Sequence, residues 1–196
     1  MPLTLEQINT ATEAGAQRLL EPLVENSPGL VGAALARRPY GTAAALEAAL
    51  LSELYALGPA AQVALFRRHP ALAGEEARAG RMTAASTTEQ GRLGLDRLEG
   101  GELRRLERLN ALYLQRHGHP FIVALFRVAS LGELFALFER RLAAPLRGER
   151  RETLDQIAAV IRSRIDAALG PELSVQDQTN AGHPALEADP ETRQET

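Results

Sequence analysis

The feature of this sequence that most constrains its fold is a repeated signal for the start of an α-helix. In a capping box, a Ser or Thr and the Glu or Gln three residues later satisfy free N–H groups of the first helical turn. Three segments have this spacing, namely Thr4–Gln7, Ser86–Glu89 and Ser130–Glu133. Apolar residues follow at spacings of three and four, and the strand–helix alternation of a parallel sheet is absent. The predicted fold class is therefore all-α, a single compact domain of about eight helices.

Proline and glycine mark the expected limits of the helices. Pro28 and Pro59 suit first helical positions, whereas Pro22 is expected to break or bend the second helix. Gly118 is placed to end a later helix. The apolar segment FIVALF at 121–126 is either a buried extended segment or a short helix. Helices are predicted from Thr4, over 13–24 and 28–37, from Thr42, from Pro59, over 86–98 and 102–116, from Ser130 and over 148–169.

The chain divides by composition at about residue 170. Residues 1–170 contain the predicted helices and are expected to form the folded domain. Residues 171–196 are polar and contain few large apolar side chains. A segment of that composition cannot bury enough apolar surface to fold, so we expect it to be a disordered C-terminal tail.

Composition argues against several classes of protein and site. The 196 residues carry a net charge of −3 without a basic stripe, so nucleic acid is not an expected partner. The sequence contains no Cys, which excludes thiolate metal ligands, and its four His residues lack the spacing of a metal site. No apolar run approaches the roughly 20 residues needed to span a bilayer, and the first ten residues lack the pattern of a secretory signal. We therefore expect a cytoplasmic protein with no metal and no membrane partner.

Two short segments carry residues that are suited to chemistry. His69 and Pro70 open the small-residue segment HPALAG, and the segment STTEQ occupies 86–90. Each residue also has a structural explanation. Glu89 can cap its helix, His69 can interact with a helix C-terminus, and Pro70 can stop a helix. Spacing alone leaves both interpretations open.

Five segments, in this order, resemble the OHCU decarboxylases, which act on 2-oxo-4-hydroxy-4-carboxy-5-ureidoimidazoline (OHCU). They are ENSPGLVGAALARRPYG, RRHPALAGE, MTAASTTEQGRLGLDRL, ERLNALYLQRHGHPFIVAL and IRSRIDAAL. The resemblance covers about residues 3–170. It implies an all-helical, cofactor-free enzyme that makes (S)-allantoin from OHCU, with loss of carbon dioxide, during urate breakdown. The implied partners are the small-molecule substrate OHCU and a second copy of the chain in a homodimer.

The resemblance also implies roles for individual residues. The His of the family's HP motif, its proposed general acid, corresponds to His69, and the Glu of its S-x-x-E-Q motif corresponds to Glu89. An Arg in the family's final helix corresponds to Arg164. The implied substrate contacts fall on Pro70, Ser86, Thr87, Thr88, Gln90, Phe121, Ile122, Val123, Ala124 and Leu125.

These residue types suit a decarboxylation that needs no cofactor. The C=N group beside the carboxyl-bearing carbon of OHCU can accept the released electron pair. Protonation on one face then requires an acid with a pKa near neutrality, and His69 is suited to that task. A carboxylate that is hydrogen-bonded to the imidazole would orient it and raise its pKa, which is the role expected of Glu89. Arg164 would hold the anionic substrate through planar, bidentate hydrogen bonds.

Helical periodicity gives independent support for Arg164. At about 100° per residue, Arg164 falls on the apolar face marked by Ile157 and Ile161, whereas Arg162 points away from it. An Arg on a buried face needs an anionic partner. A structural salt bridge and an aliphatic stem that covers apolar surface are the alternatives to a substrate-binding role.

The sequence departs from the family pattern at several positions. Ala71 replaces the usual Asp after His-Pro, Gly29 replaces a Trp, and His117 and His119 replace aromatic residues. Ala71, Gly29 and the polar tail motivate an alternative function, a non-catalytic helical interaction protein that retains the fold. His119 is expected at the rim of the substrate pocket.

Overall fold

The computed structural model describes residues 3–25, 27–74 and 84–170, without the side chains of residues 84–86. Over these ranges the chain forms nine α-helices and no β-strand, which confirms the all-α prediction. The predicted tail over 171–196 lies outside the described residues.

The helices follow one another with short connections. Two single turns of 3-10 helix, Leu95–Arg97 and Leu125–Arg127, interrupt the longer connections. The α-helices are α1 (Leu5–Thr10), α2 (Glu13–Leu20), α3 (Pro28–Leu35), α4 (Ala43–Ala56), α5 (Pro59–Phe66), α6 (Ala84–Arg92), α7 (Gly100–His117), α8 (Leu131–Leu142) and α9 (Leu146–Leu169).

Two of the three predicted capping boxes have the hydrogen bond from a backbone N–H to the Ser or Thr hydroxyl. The hydroxyl of Thr4 accepts from the N–H of Gln7 at 3.2 Å, and the Gln7 side chain accepts from the N–H of Thr4 at 2.9 Å. At the start of α8, Ser130 accepts from the N–H of Glu133 at 3.2 Å. The Glu133 carboxylate accepts from the N–H of Ala129, one residue earlier than a capping box requires.

The prediction that Ser86 caps its helix is wrong. Helix α6 begins at Ala84, so Ser86 and Glu89 both lie within it and Glu89 does not cap the helix start. The helix also ends at Arg92, earlier than residue 98, because Gly94 adopts a left-handed conformation with φ of 69° and a 3-10 turn follows. Glu89 is thereby released for contacts outside its own helix.

Two further ambiguities of the sequence are resolved. Helix α2 ends at Leu20, just before Pro22, because proline cannot continue a helix. The FIVALF segment is extended through Ala124 and then forms the 3-10 turn that begins at Leu125, so each of its two interpretations is correct for part of the segment.

The buried apolar side chains form two clusters. The first cluster joins α1 to α5 with α9, and it includes Leu50, Phe66, Ile157 and Ile161. The second cluster joins α7 and α8 with the segments at 72–73 and 121–128. Ile122 belongs to the first cluster while its neighbours Phe121 and Val123 belong to the second. The extended segment therefore runs along the boundary between the two clusters.

Side chains from helices satisfy the main chain of this extended segment, which has no neighbouring strand in the described part of the chain. Arg141 Nη1 donates to the carbonyl of Ile122 at 2.7 Å. Gln156 Oε1 accepts from the N–H of Ala124 at 2.9 Å. Arg92 donates to the carbonyls of Leu125 and Val128. These bonds supply the partners that buried backbone groups require.

A buried ion pair anchors the ends of α7, α8 and α9. Arg141 and Glu149 are 2% and 1% exposed, and Arg141 Nε donates to Glu149 Oε1 at 2.9 Å. Thr153 also donates to Glu149 at 3.2 Å, and the Tyr113 hydroxyl donates to the same carboxylate. Burial, together with the hydrogen bond to Glu149, raises the pKa of Tyr113. The pair is hydrogen-bonded on several sides, as a buried charge pair must be.

Within the described ranges, no single helix is both long enough and apolar enough to cross a membrane. Helices α4 and α5, taken together across the 111° bend between them, do meet the criteria of length and composition.

Candidate active site

A cleft lies where the two clusters meet. The unfilled space in and around its mouth, including open solvent, is about 690 Å³. Its walls come from the turn after α2, the loop after α5, helix α6, the extended segment and helix α9. The lining residues are Leu23, Val24, Glu25, His69, Pro70, Leu72, Glu89, Gln90, Phe121, Ile122, Val123, Leu125, Ile157, Val160, Ile161 and Arg164.

Most of the residues expected to contact substrate line this cleft, but some do not. Thr87 and Thr88 are exposed on the outside of α6 and are not among the lining residues. Ala124 is fully buried and does not line the cleft; its N–H is bonded to Gln156. The side chain of Ser86 lies outside the described atoms. The other predicted site residues share the cleft, namely His69, Pro70, Glu89, Gln90, Phe121, Ile122, Val123, Leu125 and Arg164.

Arg164 lies on the inner face of α9, as the periodicity predicted. Its side chain is 11% exposed, whereas that of Arg162 is 46% exposed and pairs with Glu47 on the surface. Arg164 Nη2 donates to Glu25 Oε1 at 3.1 Å and lies 3.9 Å from Glu89 Oε1. Its Nη1 donates to the carbonyl of Pro22 at 3.4 Å. The guanidinium is thus the central positive charge of the cleft.

Glu89 projects from α6 towards Arg164. Burial raises the pKa of Glu89, and the nearby Glu25 carboxylate raises it further. Arg164 and Arg92 act in the opposite direction, but the pKa remains above that of an exposed Glu. Glu89 can therefore hold a proton at a higher pH than an ordinary carboxyl group.

His69 lies just after the end of α5 and is mostly buried. Its Nδ1 is 3.2 Å from the carbonyl oxygen of Leu65. Burial lowers the pKa of His69, and the positive charge of Arg164 adds to this effect. The Leu65 carbonyl and the Glu25 carboxylate oppose it. His69 and Glu89 share the cleft, but in the described chain no hydrogen bond joins them, so the expected orientation of the imidazole by Glu89 is not seen.

The loop that follows His69 is held by two side-chain amides. Asn110 Nδ2 donates to the carbonyl of Leu72 at 2.9 Å, and Gln90 Oε1 accepts from the N–H of Ala73 at 3.0 Å. Ala73 has a positive φ of 47°, which is uncommon for a residue with a side chain. At Gly74, a Cβ atom would lie 2.9 Å from the carbonyl oxygen of Ala71, so glycine is required there. These contacts fix the loop beside α6 and α7.

The sequence model of one protein family, described as OHCU decarboxylase, matches residues 9–166. The chain belongs to the OHCU decarboxylase family. The prediction that the chain belongs to this family, and that it is a decarboxylase, is therefore confirmed.

Similar proteins agree with this assignment. A protein of Amia calva named 2-oxo-4-hydroxy-4-carboxy-5-ureidoimidazoline decarboxylase is 29% identical over 163 residues, which cover 83% of this chain and 93% of that protein. The protein of the same name from Mus musculus is 32% identical over 148 residues, with coverage of 76% and 83%. A crystal structure of OHCU decarboxylase in the presence of (S)-allantoin has a TM-score of 0.62 over 82% of this chain and all of that one. Its sequence identity is 12%, so this likeness supports the fold alone.

One departure from the OHCU decarboxylase pattern has a clear structural setting. The expectation that His119 stands at the pocket rim is wrong. His119 is fully buried, and its ring packs against Phe66 at 4.8 Å and against Tyr113 at 5.6 Å between centroids. Its Nδ1 is 2.9 Å from the carbonyl of Pro120, while its Nε2 is buried without a hydrogen-bond partner. At a position where an aromatic residue is expected from the family pattern, this chain therefore has a histidine whose ring packs among aromatic side chains.

Sequence reasoning missed several residues that shape the cleft. Glu25 is the first residue of the segment ENSPGLVGAALARRPYG, but neither a motif nor helical periodicity distinguished it from a Glu on the surface. Asn110 occupies the N-x-x-Y part of the family pattern, and a polar residue among the apolar positions of α7 was its only local signal. Gln156 and Arg141 support the cleft wall from α9 and α8, and their contacts depend on distant parts of the chain.

Proposed function

We propose that this protein converts OHCU to (S)-allantoin by decarboxylation in urate degradation, without a cofactor. The observation that carries the proposal is that His69, Glu89 and Arg164 line one cleft in a chain of the OHCU decarboxylase family. A proton-transfer group, a carboxyl group and a cation within one cleft are the groups that this reaction requires.

Arg164 is the residue that holds the anionic substrate. Its guanidinium carries five N–H donors, and Glu25 and the Pro22 carbonyl account for two of its hydrogen bonds. A substrate carboxylate gains both charge attraction and directed hydrogen bonds from such a group. The partial burial of Arg164 strengthens the attraction relative to a surface Arg.

His69 is the proton donor. The Leu65 carbonyl occupies Nδ1, which leaves Nε2 as the ring nitrogen available to the substrate. In the free protein, burial holds the pKa of His69 below its ordinary value. An anionic substrate raises that pKa by the same charge effect as Glu25 does, so substrate binding favours the protonated imidazole.

Glu89 completes the charge pattern of the site. Burial raises the pKa of Glu89, which favours the protonated carboxyl group, and in that form it can donate a hydrogen bond beside Arg164. Glu89 is then not needed to orient His69, because the carbonyl of Leu65 orients the imidazole.

The reaction balances without an external electron acceptor. The bond to the carboxylate breaks, carbon dioxide leaves, and the electron pair moves into the adjacent C=N group, whose nitrogen takes a proton. The enediol-like intermediate then receives the His69 proton on the carbon that bears the ureido group, while its hydroxyl loses a proton and becomes the carbonyl. One proton is consumed overall, and solvent returns it to the site.

A coupled reaction tests the proposal directly. Urate oxidase and hydroxyisourate hydrolase generate OHCU in place, the protein is added, and the optical activity of the allantoin is followed. We expect (S)-allantoin to appear faster than the spontaneous racemic product. Decay at the rate of the blank, with a protein that circular dichroism finds folded, would favour the alternative of a non-catalytic interaction protein with Ala71 and Gly29 as the first suspects.

We also propose that the protein acts as a homodimer, as the family resemblance implies, and that it does so in the cytoplasm. Light scattering during size-exclusion chromatography measures the mass of the particle. A mass equal to one chain of 21.2 kDa at micromolar concentration would contradict the dimer.

A further inference from the structure

A second carboxylate contacts the cation of the cleft. Glu25 lies in the turn after α2, and its side chain is 12% exposed. Its Oε1 accepts from Arg164 Nη2 at 3.1 Å, a shorter approach than the 3.9 Å between Arg164 and Glu89. No motif that pointed to the site assigned a role to this residue.

We propose that Glu25 is a positioning residue for OHCU turnover: it fixes the guanidinium of Arg164 and sets the charge balance around His69 and Glu89. This inference rests on the proposed function, because it assigns Glu25 a part in the same reaction.

The turn that carries Glu25 is built to hold Arg164. The carbonyl of Pro22 and the carboxylate of Glu25 both accept from the guanidinium, so two points of one turn fix its plane. Ser27 precedes α3 at the capping position, yet its hydroxyl donates to the carbonyl of Glu25 at 2.9 Å and makes no cap hydrogen bond. Ser27 is buried, so this bond braces the turn from within.

The charges in the cleft also require a fixed counterion. Arg164 is faced by Glu25 and Glu89, and two ionised carboxylates around one cation would repel an anionic substrate. Glu25 is paired directly with Arg164, and the raised pKa of Glu89 means that this carboxyl group takes up a proton more readily than an exposed Glu does. Glu25 raises the pKa of Glu89 and of His69, in each case against the effect of Arg164 and, for Glu89, also against Arg92. The single charge of Glu25 thus favours the protonated form of both groups.

Replacing Glu25→Gln keeps the shape and the acceptor oxygen but removes the charge. We expect the KM for OHCU to rise about tenfold or more, since a charge-assisted hydrogen bond becomes a neutral one. The pH profile of kcat/KM should move to lower pH, because His69 and Glu89 both lose a neighbouring negative charge. Glu25→Asp, which keeps the charge on a shorter side chain, should restore the position of the pH profile. A merely structural role for Glu25 would not move that profile.

Glu47→Gln is a matched control. Glu47 Oε1 accepts from Nε of Arg162 at 2.8 Å, and Arg162 lies on the outer face of α9, the helix that carries Arg164. The Glu47→Gln variant should leave both KM and the pH profile unchanged. A Glu25→Gln protein with a wild-type profile and KM, or with a lower KM, would overturn the inference. The lower KM would identify Glu25 as a competitor of the substrate.

A measurement that needs no turnover separates this inference from the proposed function. The pKa of His69 is read by NMR in the wild type, in Glu25→Gln and in Glu47→Gln. We expect a lower value in Glu25→Gln alone. An unchanged value overturns the inference whether or not OHCU is consumed. A lowered value in a protein that does not consume OHCU supports the charge balance and contradicts only the proposed reaction.

Discussion

The side-chain amide of Asn110 donates from Nδ2 to the carbonyl of Leu72 at 2.9 Å and so ties the middle of α7 to the loop that begins at His69. Asn110 does not itself line the cleft. Its effect on catalysis must therefore pass through the position of the loop. The Oδ1 atom of Asn110 is buried without a hydrogen-bond partner, so the hydrogen bond that this side chain makes is the one that Nδ2 donates.

Replacing Asn110→Asp tests this link, because the carboxylate has nearly the same shape and cannot donate when ionised. We expect the free energy of unfolding to fall by about 1–3 kcal/mol, the cost of leaving a buried acceptor unpaired. The value of kcat/KM should fall as well. Urea denaturation and initial rates measure the two effects. Gln115→Ala, on the exposed side of the same helix, should change neither, and equal stability of Asn110→Asp and wild type would contradict the clamp.

Replacing His69→Ala should remove the proton donor while leaving the fold intact. General acid catalysis contributes about 10²–10⁴-fold to a rate, and we expect a loss of that size in kcat. Any allantoin that still forms should be racemic. The free energy of unfolding should change by less than about 1 kcal/mol, since His69 contributes one hydrogen bond to a carbonyl.

His183→Ala is the control for His69→Ala, because His183 begins the same letters, HPAL, in the predicted polar tail. This variant should retain full activity. Marked unfolding of His69→Ala, with normal specific activity in the protein that remains folded, would count against a catalytic role for His69.

The buried pair of Arg141 and Glu149 should be critical for stability. Replacing Arg141→Met leaves the Glu149 carboxylate buried without its cation, and we expect a loss of about 3–5 kcal/mol in the free energy of unfolding. Adding Glu149→Leu to the same protein should recover part of this loss, because the uncompensated charge is gone. Thermal and urea denaturation of the two single variants and the double variant complete the comparison. A double variant less stable than either single one would contradict this account.

Whether a feature of the site can be predicted from the sequence depends on how far apart along the chain the contacting residues lie. Arg164 was placed correctly on the inner face of α9 because helical periodicity is a local property. The cap at Ser86 failed because helix formers at Ala84 and Ala85 extend α6 upstream of it. The Glu25–Arg164 pair joins residues 139 positions apart, and no local pattern identifies such partners.

The same contrast holds for the fold. Helix starts at Thr4 and Ser130 followed from adjacent residues and were predicted. The course of the extended FIVALF segment depends on Arg141, Gln156 and Arg92, which come from three different helices. The burial of His119 depends on Phe66, far away in the sequence, so its position in the core rather than at the rim could not be predicted.

Acid should destabilise the protein through His119. Burial lowers the pKa of His119 in the folded state, with the nearby His117 adding to this effect. The unfolded chain, whose His pKa is about 6.5, then binds more protons than the folded one below that pH. The stabilisation linked to neutral His119 is therefore fully present above about pH 6.5. It is lost as the pH falls towards the lowered pKa, by at most about 1.4 kcal/mol per pH unit for this group.

His119→Phe should reduce this dependence of stability on pH. It removes the titrating group and restores the aromatic residue that is usual in the family. The slope of the free energy of unfolding between pH 5 and pH 6.5 is the quantity to compare, since the larger ring can change the stability at neutral pH by itself. His183→Phe in the predicted tail should leave the slope unchanged, and an unchanged slope in His119→Phe would show that His119 is not the sensor.

The cleft lies at the boundary of two hydrophobic clusters, and its walls draw Ile157 and Ile161 from one cluster and Phe121 and Val123 from the other. Within the described residues, neither cluster forms this cleft alone. A small molecule bound in the cleft contacts both clusters and therefore adds a link between them. Ligand binding and the association of the two clusters are therefore thermodynamically coupled, because a ligand that binds only the folded chain raises its stability.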